Sequence, residues 1–72
     1  MSEKQYKTAY GEQISVGQFF ELNGNIYKID NLQVIKWAGL IAVYTDSNGI
    51  IKKQNISDWT YKKGEKLWKK KN

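Results

Sequence analysis

The sequence predicts a single all-β domain, folded as a small five-stranded barrel or a strongly bent antiparallel sheet with a basic C-terminal end. Three observations predict it: β-branched and aromatic runs of strand length, two Asn-Gly turns, and the absence of proline. The turns are at Asn23-Gly24 and Asn48-Gly49. Asn-Gly is the strongest short hairpin signal because the favoured turn needs positive φ at both central residues. A chain of 72 residues has room for one domain.

Five strands follow from these runs and turns, in chain order: residues 14–22, 26–37, 40–45, 50–56 and 60–62. Gly17 indicates a bend in the first strand, and a bulge near Asp30-Asn31 would bring the apolar residues of the second strand to one face. The third strand is apolar on both faces, which is typical of a central strand. Residues 57–59 form a tight turn before the last strand, since Ser and Asp hydrogen-bond readily to nearby backbone.

The domain is therefore expected to span residues 14–68. Residues 1–13 are polar and predict a flexible N-terminal arm, in which residues 7–10 could add a short strand. Residues 69–72 are expected to form a basic tail. A short helix over residues 65–71 is the alternative for this end of the chain, although so short a helix is only marginally stable alone.

This layout of hairpin-linked strands, a one-turn corner at Ile56-Ser57-Asp58-Trp59 and a short last strand resembles that of SH3-like barrels. The resemblance covers residues 19–61 and is one of architecture, so it implies a fold and no activity. Signalling SH3 domains carry an Ala-Leu-Tyr-Asp-Tyr run that this chain lacks, so binding of proline-rich peptides is not implied. The OB-fold is the structural competitor, but residues 44–50 leave no room for its helix.

Positive charge is concentrated near the C-terminus. Residues 1–51 hold four lysines and five acidic residues, whereas residues 52–72 hold eight lysines and two acidic residues. Such asymmetry indicates an anionic partner or a basic tail. The chain has no arginine, the residue best suited to bidentate contacts with bases, so the lysines predict charge attraction with little sequence specificity. An AT-rich genome would also favour lysine over arginine, but it would not explain the clustering.

Enzymatic chemistry is not expected. The chain has no cysteine and no histidine, which removes the usual zinc and copper ligands and the usual general base. Its four serines therefore have no histidine to activate them, and its seven acidic residues are scattered singly. No Gly-rich phosphate-binding loop occurs. The sequence predicts a non-catalytic binding protein without a metal or cofactor.

Nucleic acid is the favoured partner, either DNA or RNA. Binding needs cations that displace counterions from phosphates and exposed aromatic rings on which bases stack. The predicted stacking rings are Trp37, Trp59, Tyr61 and Trp68. The predicted phosphate contacts are Lys28, Lys36, Lys52, Lys53, Lys62, Lys63, Lys66, Lys69, Lys70 and Lys71. The alternative for the indoles is a place in the core, which we favour for Trp59. Trp68 lies among lysines and is expected to be exposed, whereas Trp37 could be either.

A protein partner is the main alternative, because Trp and Tyr are also the favoured hot-spot residues of interfaces. In this interpretation the chain is a phage or mobile-element type inhibitor or adaptor that docks on a host protein. One face of residues 40–44 could also serve a homodimer, although burial on both sides is favoured. A membrane surface is the least favoured partner, because no amphipathic helix of useful length supports it. The absence of cysteine and of an apolar leader predicts a cytoplasmic location.

Overall fold

A computed structural model describes residues 6–70, and in this part of the chain every regular element is a strand. The nine strands are β1 (Tyr6–Lys7), β2 (Gln13–Ile14), β3 (Phe19–Leu22), β4 (Asn25–Lys28), β5 (Asn31–Ile35), β6 (Gly39–Thr45), β7 (Ile51–Asn55), β8 (Trp59–Lys62) and β9 (Leu67–Lys70). The all-β prediction is confirmed. No helix in the described range is long and apolar enough to cross a membrane.

The strands form three sheets, which do not close into a barrel within residues 6–70. One sheet has the order β4-β3-β9-β8, the second has the order β5-β6-β7, and β1 pairs with β2. All pairs are antiparallel except β3 and β9, which are parallel. The prediction of five strands was wrong, because the first two predicted strands are each broken and two further strands form at the ends of the chain.

The two strand breaks lie next to each other and are joined by backbone hydrogen bonds. Gly17 has φ 95, and its N–H donates to the Ile29 carbonyl at 2.9 Å. The Ile29 N–H in turn donates to the Gln18 carbonyl at 2.8 Å, while the next N–H, that of Asp30, donates to Val43. The chain thus leaves the four-stranded sheet at Ile29 and enters the three-stranded sheet at Asp30. This bend lies where the sequence predicted a bulge.

The core lies between the inner faces of the two larger sheets. Phe20 of β3 meets Tyr44 of β6 edge to face, with ring centroids 5.0 Å apart, and meets Trp59 of β8 at 5.7 Å. Trp59, Trp68 and Phe20 are the largest fully buried side chains. Since each aromatic side chain buries roughly 150–250 Å², these rings supply much of the apolar burial available to so short a chain.

The two Asn-Gly turns differ. Asn23 and Gly24 have φ values of 53° and 83°. They connect Leu22 to Asn25, which are paired across β3 and β4, and so form the predicted two-residue hairpin turn. At Asn48-Gly49 only the glycine has positive φ. Here the carboxylate Oδ1 of Asp46 accepts the N–H groups of Asn48 and Ile50, both at 2.9 Å, and holds a longer loop.

Both ends of the described chain are hydrogen-bonded strands, which corrects the predicted arm and tail. Tyr6 packs against the core, and the Ala9 N–H donates to the Ser57 carbonyl at 2.6 Å, so residues 6–13 do not form a free arm. Residues 67–70 form a strand and not the alternative helix. Along this strand, Trp68 lies on the inner face of the sheet and Lys69 on the outer face. Residues 1–5 of the predicted arm and residues 71–72 of the predicted tail lie outside the described residues.

Candidate nucleic-acid interface

Two of the three indoles cannot stack on a ligand. Trp59 and Trp68 each have 1% of their surface exposed, so the core interpretation of Trp59 is confirmed and the expected exposure of Trp68 was wrong. The Trp68 Nε1–H donates to Oε1 of Gln18 at 2.9 Å. Tyr61 is half-buried, with its ring centroid 5.1 Å from that of Trp68. Of the four predicted stacking rings, only Trp37 is fully accessible, at 88%.

The predicted phosphate-binding lysines do not share one surface. Lys53 lies on the outer face of the three-stranded sheet, and Lys36 lies with Trp37 in the β5–β6 turn. Lys70 is opposite Trp59 at the far end of β9. The outer faces of the two sheets point away from each other, because their inner faces pack together. Lys71 lies outside the described residues.

Lys52 forms an ion pair that helps to hold the β6–β7 loop. Its Nζ lies 3.2 Å from Oδ2 of Asp46, the residue that holds the β6–β7 loop. Hydrogen bonding to Asp46 raises the pKa of Lys52. The pKa of Asp46 is lowered from its ordinary value, chiefly by the hydrogen bond from the Ile50 N–H and also by Lys52.

The outer face of the four-stranded sheet gathers most of the other lysines, and we call it the Phe19 face. Directly opposed residues of neighbouring strands place their side chains on the same face. One row across the sheet consists of Lys28, Phe19, Leu67 and Lys62, and the next row consists of Ile26, Glu21, Lys69 and Thr60. The turn between β8 and β9, with Lys63 and Lys66, adjoins the end of the first row.

An aromatic ring at the centre of this face was missed by the sequence analysis. Phe19 is 44% exposed, whereas its neighbour Phe20 is completely buried. The signal was present in the Phe19-Phe20 pair, since successive residues of a strand point to opposite faces and only one ring can enter the core. The same register places Lys28 directly beside Phe19, and Leu67 on its other side.

The charges on the Phe19 face are divided between paired and unpaired lysines. The Nζ of Lys69 lies 2.8 Å from Glu65 and 3.8 Å from Glu21, and hydrogen bonding, first to Glu65, raises its pKa. Within residues 6–70, only Lys69 and Lys52 form ion pairs with acidic side chains. The four remaining lysines of the face and its turn, Lys28, Lys62, Lys63 and Lys66, therefore keep their charges available to a ligand.

Comparisons with protein-family models, curated proteins and solved structures found no match. Function is therefore inferred from the geometry of this chain alone. No group of three or more His, Cys, Asp or Glu side chains that could hold a metal ion occurs among the described residues. The arrangement offers a half-exposed aromatic ring on the outer face of the four-stranded sheet, with lysines on the strands to both sides of it.

Proposed function

We propose that this protein binds single-stranded nucleic acid through the Phe19 face, with little sequence specificity. The observation that carries the proposal is the half-exposed Phe19 ring, which lies on the outer face of the four-stranded sheet in one row with the unpaired lysines Lys28 and Lys62. A ring on a flat surface can stack only on a base whose face is open, which favours unpaired bases. Ammonium groups contact phosphates as point charges, and no arginine is present to read base edges bidentately.

Salt dependence tests the electrostatic part of the proposal. For single strands, the slope of log K against log salt is about −0.7 for each phosphate neutralised. Four unpaired lysines therefore predict a slope near −3, or roughly a 50-fold loss of affinity between 50 and 200 mM salt. Fluorescence anisotropy of a labelled oligonucleotide measures it. If no micromolar binding occurs at the lower salt concentration, the proposal is wrong.

Variants of the Phe19 face test the location of the site. Phe19→Leu keeps an apolar contact with Leu67 but removes the aromatic plane, and stacking on an aromatic ring contributes about 1–3 kcal/mol per base. We expect affinity to fall by about fivefold or more. Lys62→Ala should make the salt slope shallower by about 0.7, whereas the matched control Lys53→Ala, on the opposite side of the molecule, should leave it unchanged. Equal effects of the two lysine variants would contradict the location.

A protein partner remains the second candidate, and the exposure of Trp37 favours it. This indole lies at the tip of the β5–β6 hairpin, in which Val34 of β5 is also exposed. Tryptophan is the most typical hot-spot residue, and nothing in residues 6–70 covers this one. A pull-down from nuclease-treated lysate should retain one stoichiometric protein with the parent chain and lose it with Trp37→Ala. Recovery of no partner would count against this candidate.

Several broader interpretations stay predictions. The bend at Ile29 and Asp30, which passes one segment from sheet to sheet, supports the resemblance to SH3-like barrels. A cytoplasmic location rests on the absence of cysteine, and a phage or mobile-element origin rests on composition and size. For a homodimer through the outer face of β6, Val43 is the partly accessible apolar side chain, since Ile41 is buried.

A further inference from the structure

A polar cavity of about 320 Å³ lies at the free edge of the four-stranded sheet. β4 is the end strand of that sheet, and it supplies Asn25, Tyr27 and Lys28 to one wall. The β6–β7 connection supplies the opposite wall, including Thr45 and Ser47. The cavity volume is at the lower end of the range typical of ligand sites in proteins.

The polar groups of the cavity fall into two classes. Those of the β6–β7 side are mostly satisfied, since the Thr45 hydroxyl donates to Asp30 at 2.9 Å and Asp46 binds two N–H groups and Lys52. The Ser47 hydroxyl on that side, and the Asn25 amide and the Lys28 ammonium on the β4 side, make no hydrogen bond or ion pair with residues 6–70. The phenol of Tyr27, which is half-buried, also makes no hydrogen bond there. These groups border the same cavity at the edge of the sheet, Asn25 and Tyr27 from one face of β4 and Lys28 from the other.

The cavity is continuous with the Phe19 face. Lys28 and Ile26 belong to both, because they lie on the edge strand of that face and are also lining residues of the cavity. Lys28 is the direct cross-strand partner of Phe19. The cavity therefore begins about one strand spacing, roughly 4.8 Å, from the ring on which the proposed function places a base.

We propose that this cavity binds one unpaired purine base of the same nucleic-acid strand that stacks on Phe19. An Asn amide offers a donor and an acceptor that match the N6 and N7 edge of adenine, and a Lys ammonium matches the O6 and N7 edge of guanine. Asn25 and Lys28 thus both suit purines. The inference rests on the proposed function and adds to it a base preference that the Phe19 face cannot supply.

The test compares two labelled oligonucleotides of equal length, one all thymine and one with adenine substituted at its central positions. The parent protein should bind the adenine-containing strand between about fivefold and 150-fold more tightly, the range for one good bidentate pair. Asn25→Ala should abolish the preference and leave binding of the thymine strand unchanged. Ser47→Ala provides a second variant should Asn25→Ala fail to fold, and it should reduce the preference. The matched control Asn48→Ala, whose side chain does not line the cavity, should keep it.

The outcomes separate the inference from the proposed function. If the parent protein binds both strands equally, or if Asn25→Ala and Ser47→Ala both retain the adenine preference, the purine site is refuted while binding at the Phe19 face stands. Phe19→Leu should weaken both strands by the same factor. If neither strand binds the parent protein, the proposed function falls and the purine site falls with it.

Discussion

The side-chain amide of Gln18 accepts two hydrogen bonds, and Gln18→Met removes the acceptor while keeping a side chain of similar length. Its Oε1 accepts the Trp68 Nε1–H and the Ser15 N–H, both at 2.9 Å. Ser15 is exposed, so its N–H can bind water in the variant. Trp68 is 1% exposed, so its indole N–H loses its partner and gains none.

The expected loss of stability comes from the buried Trp68 donor, because the exposed Ser15 donor can bind water instead. A buried donor left without a partner destabilises a protein by about 1–3 kcal/mol. Total stability at roughly 0.05–0.15 kcal/mol per residue is only about 4–11 kcal/mol for a chain of this size. Since 1 kcal/mol shifts the melting temperature of such a domain by about 4–8 °C, Gln18→Met should lower Tm by at least 4 °C or so.

Thermal denaturation followed by circular dichroism measures the shift, and a double-mutant cycle assigns it. In a Trp68→Phe background no indole N–H exists, so Gln18→Met should cost about 1 kcal/mol less than in the parent. The control Gln54→Met removes an amide whose only hydrogen bond within residues 6–70 is an exposed one to the Asn55 carbonyl, and it should change stability by less than about 0.5 kcal/mol. Equal losses of Tm in both backgrounds would refute the hydrogen-bond explanation.

Three other substitutions give distinct outcomes. Glu21→Gln removes a negative charge from the Phe19 face and should strengthen oligonucleotide binding about two- to fivefold, whereas Glu12→Gln, in the β1–β2 loop, should not. Lys66 has φ 56, so Lys66→Gly should raise Tm by relieving a left-handed conformation that costs a non-glycine residue about 1 kcal/mol, while anisotropy shows weaker binding. The lowered pKa of Asp46 stabilises the fold above its ordinary value of 3.8, and this contribution is lost as pH falls below that value. Tm measured across that pH range should therefore fall less for Asp46→Asn than for the parent; equal slopes would contradict this.

Local features of the fold were predictable from the sequence, because a few neighbouring residues determine them. Asn23-Gly24 requires only its own backbone conformation, and the structure has it. The break near Asp30 was visible as a change in the parity of apolar residues. The parallel pairing of β3 with β9 was not, since Phe20 and Trp68 are far apart in the chain and strand periodicity carries no information about partners.

The candidate site was only partly predictable for a related reason. Lysines flanking Trp68 indicated exposure, but in a strand the neighbours of a buried residue point outward, so lysines beside an indole are compatible with its burial. The predicted strand at residues 60–62 and the turn after it are present, with Lys62 as the last residue of β8 and Lys63 and Lys66 in the β8–β9 turn. Phe19 has the opposite strand parity from Phe20, Val16 and Leu22, which pointed to the outer face, but it was not included among the predicted stacking rings.

The position of β9 restricts the order in which the strands of the protein can assemble. β9, the last strand of the described residues, lies in the middle of its sheet, between β3 and β8. A nascent chain that stops before Leu67 has no central strand, so β3 and β8 have nothing to join them and Phe20 lacks its Trp68 neighbour. The four-stranded sheet can therefore assemble only after the ribosome has released this segment. Until β9 is in place, the facing edges of β3 and β8 stay open to pairing with other chains.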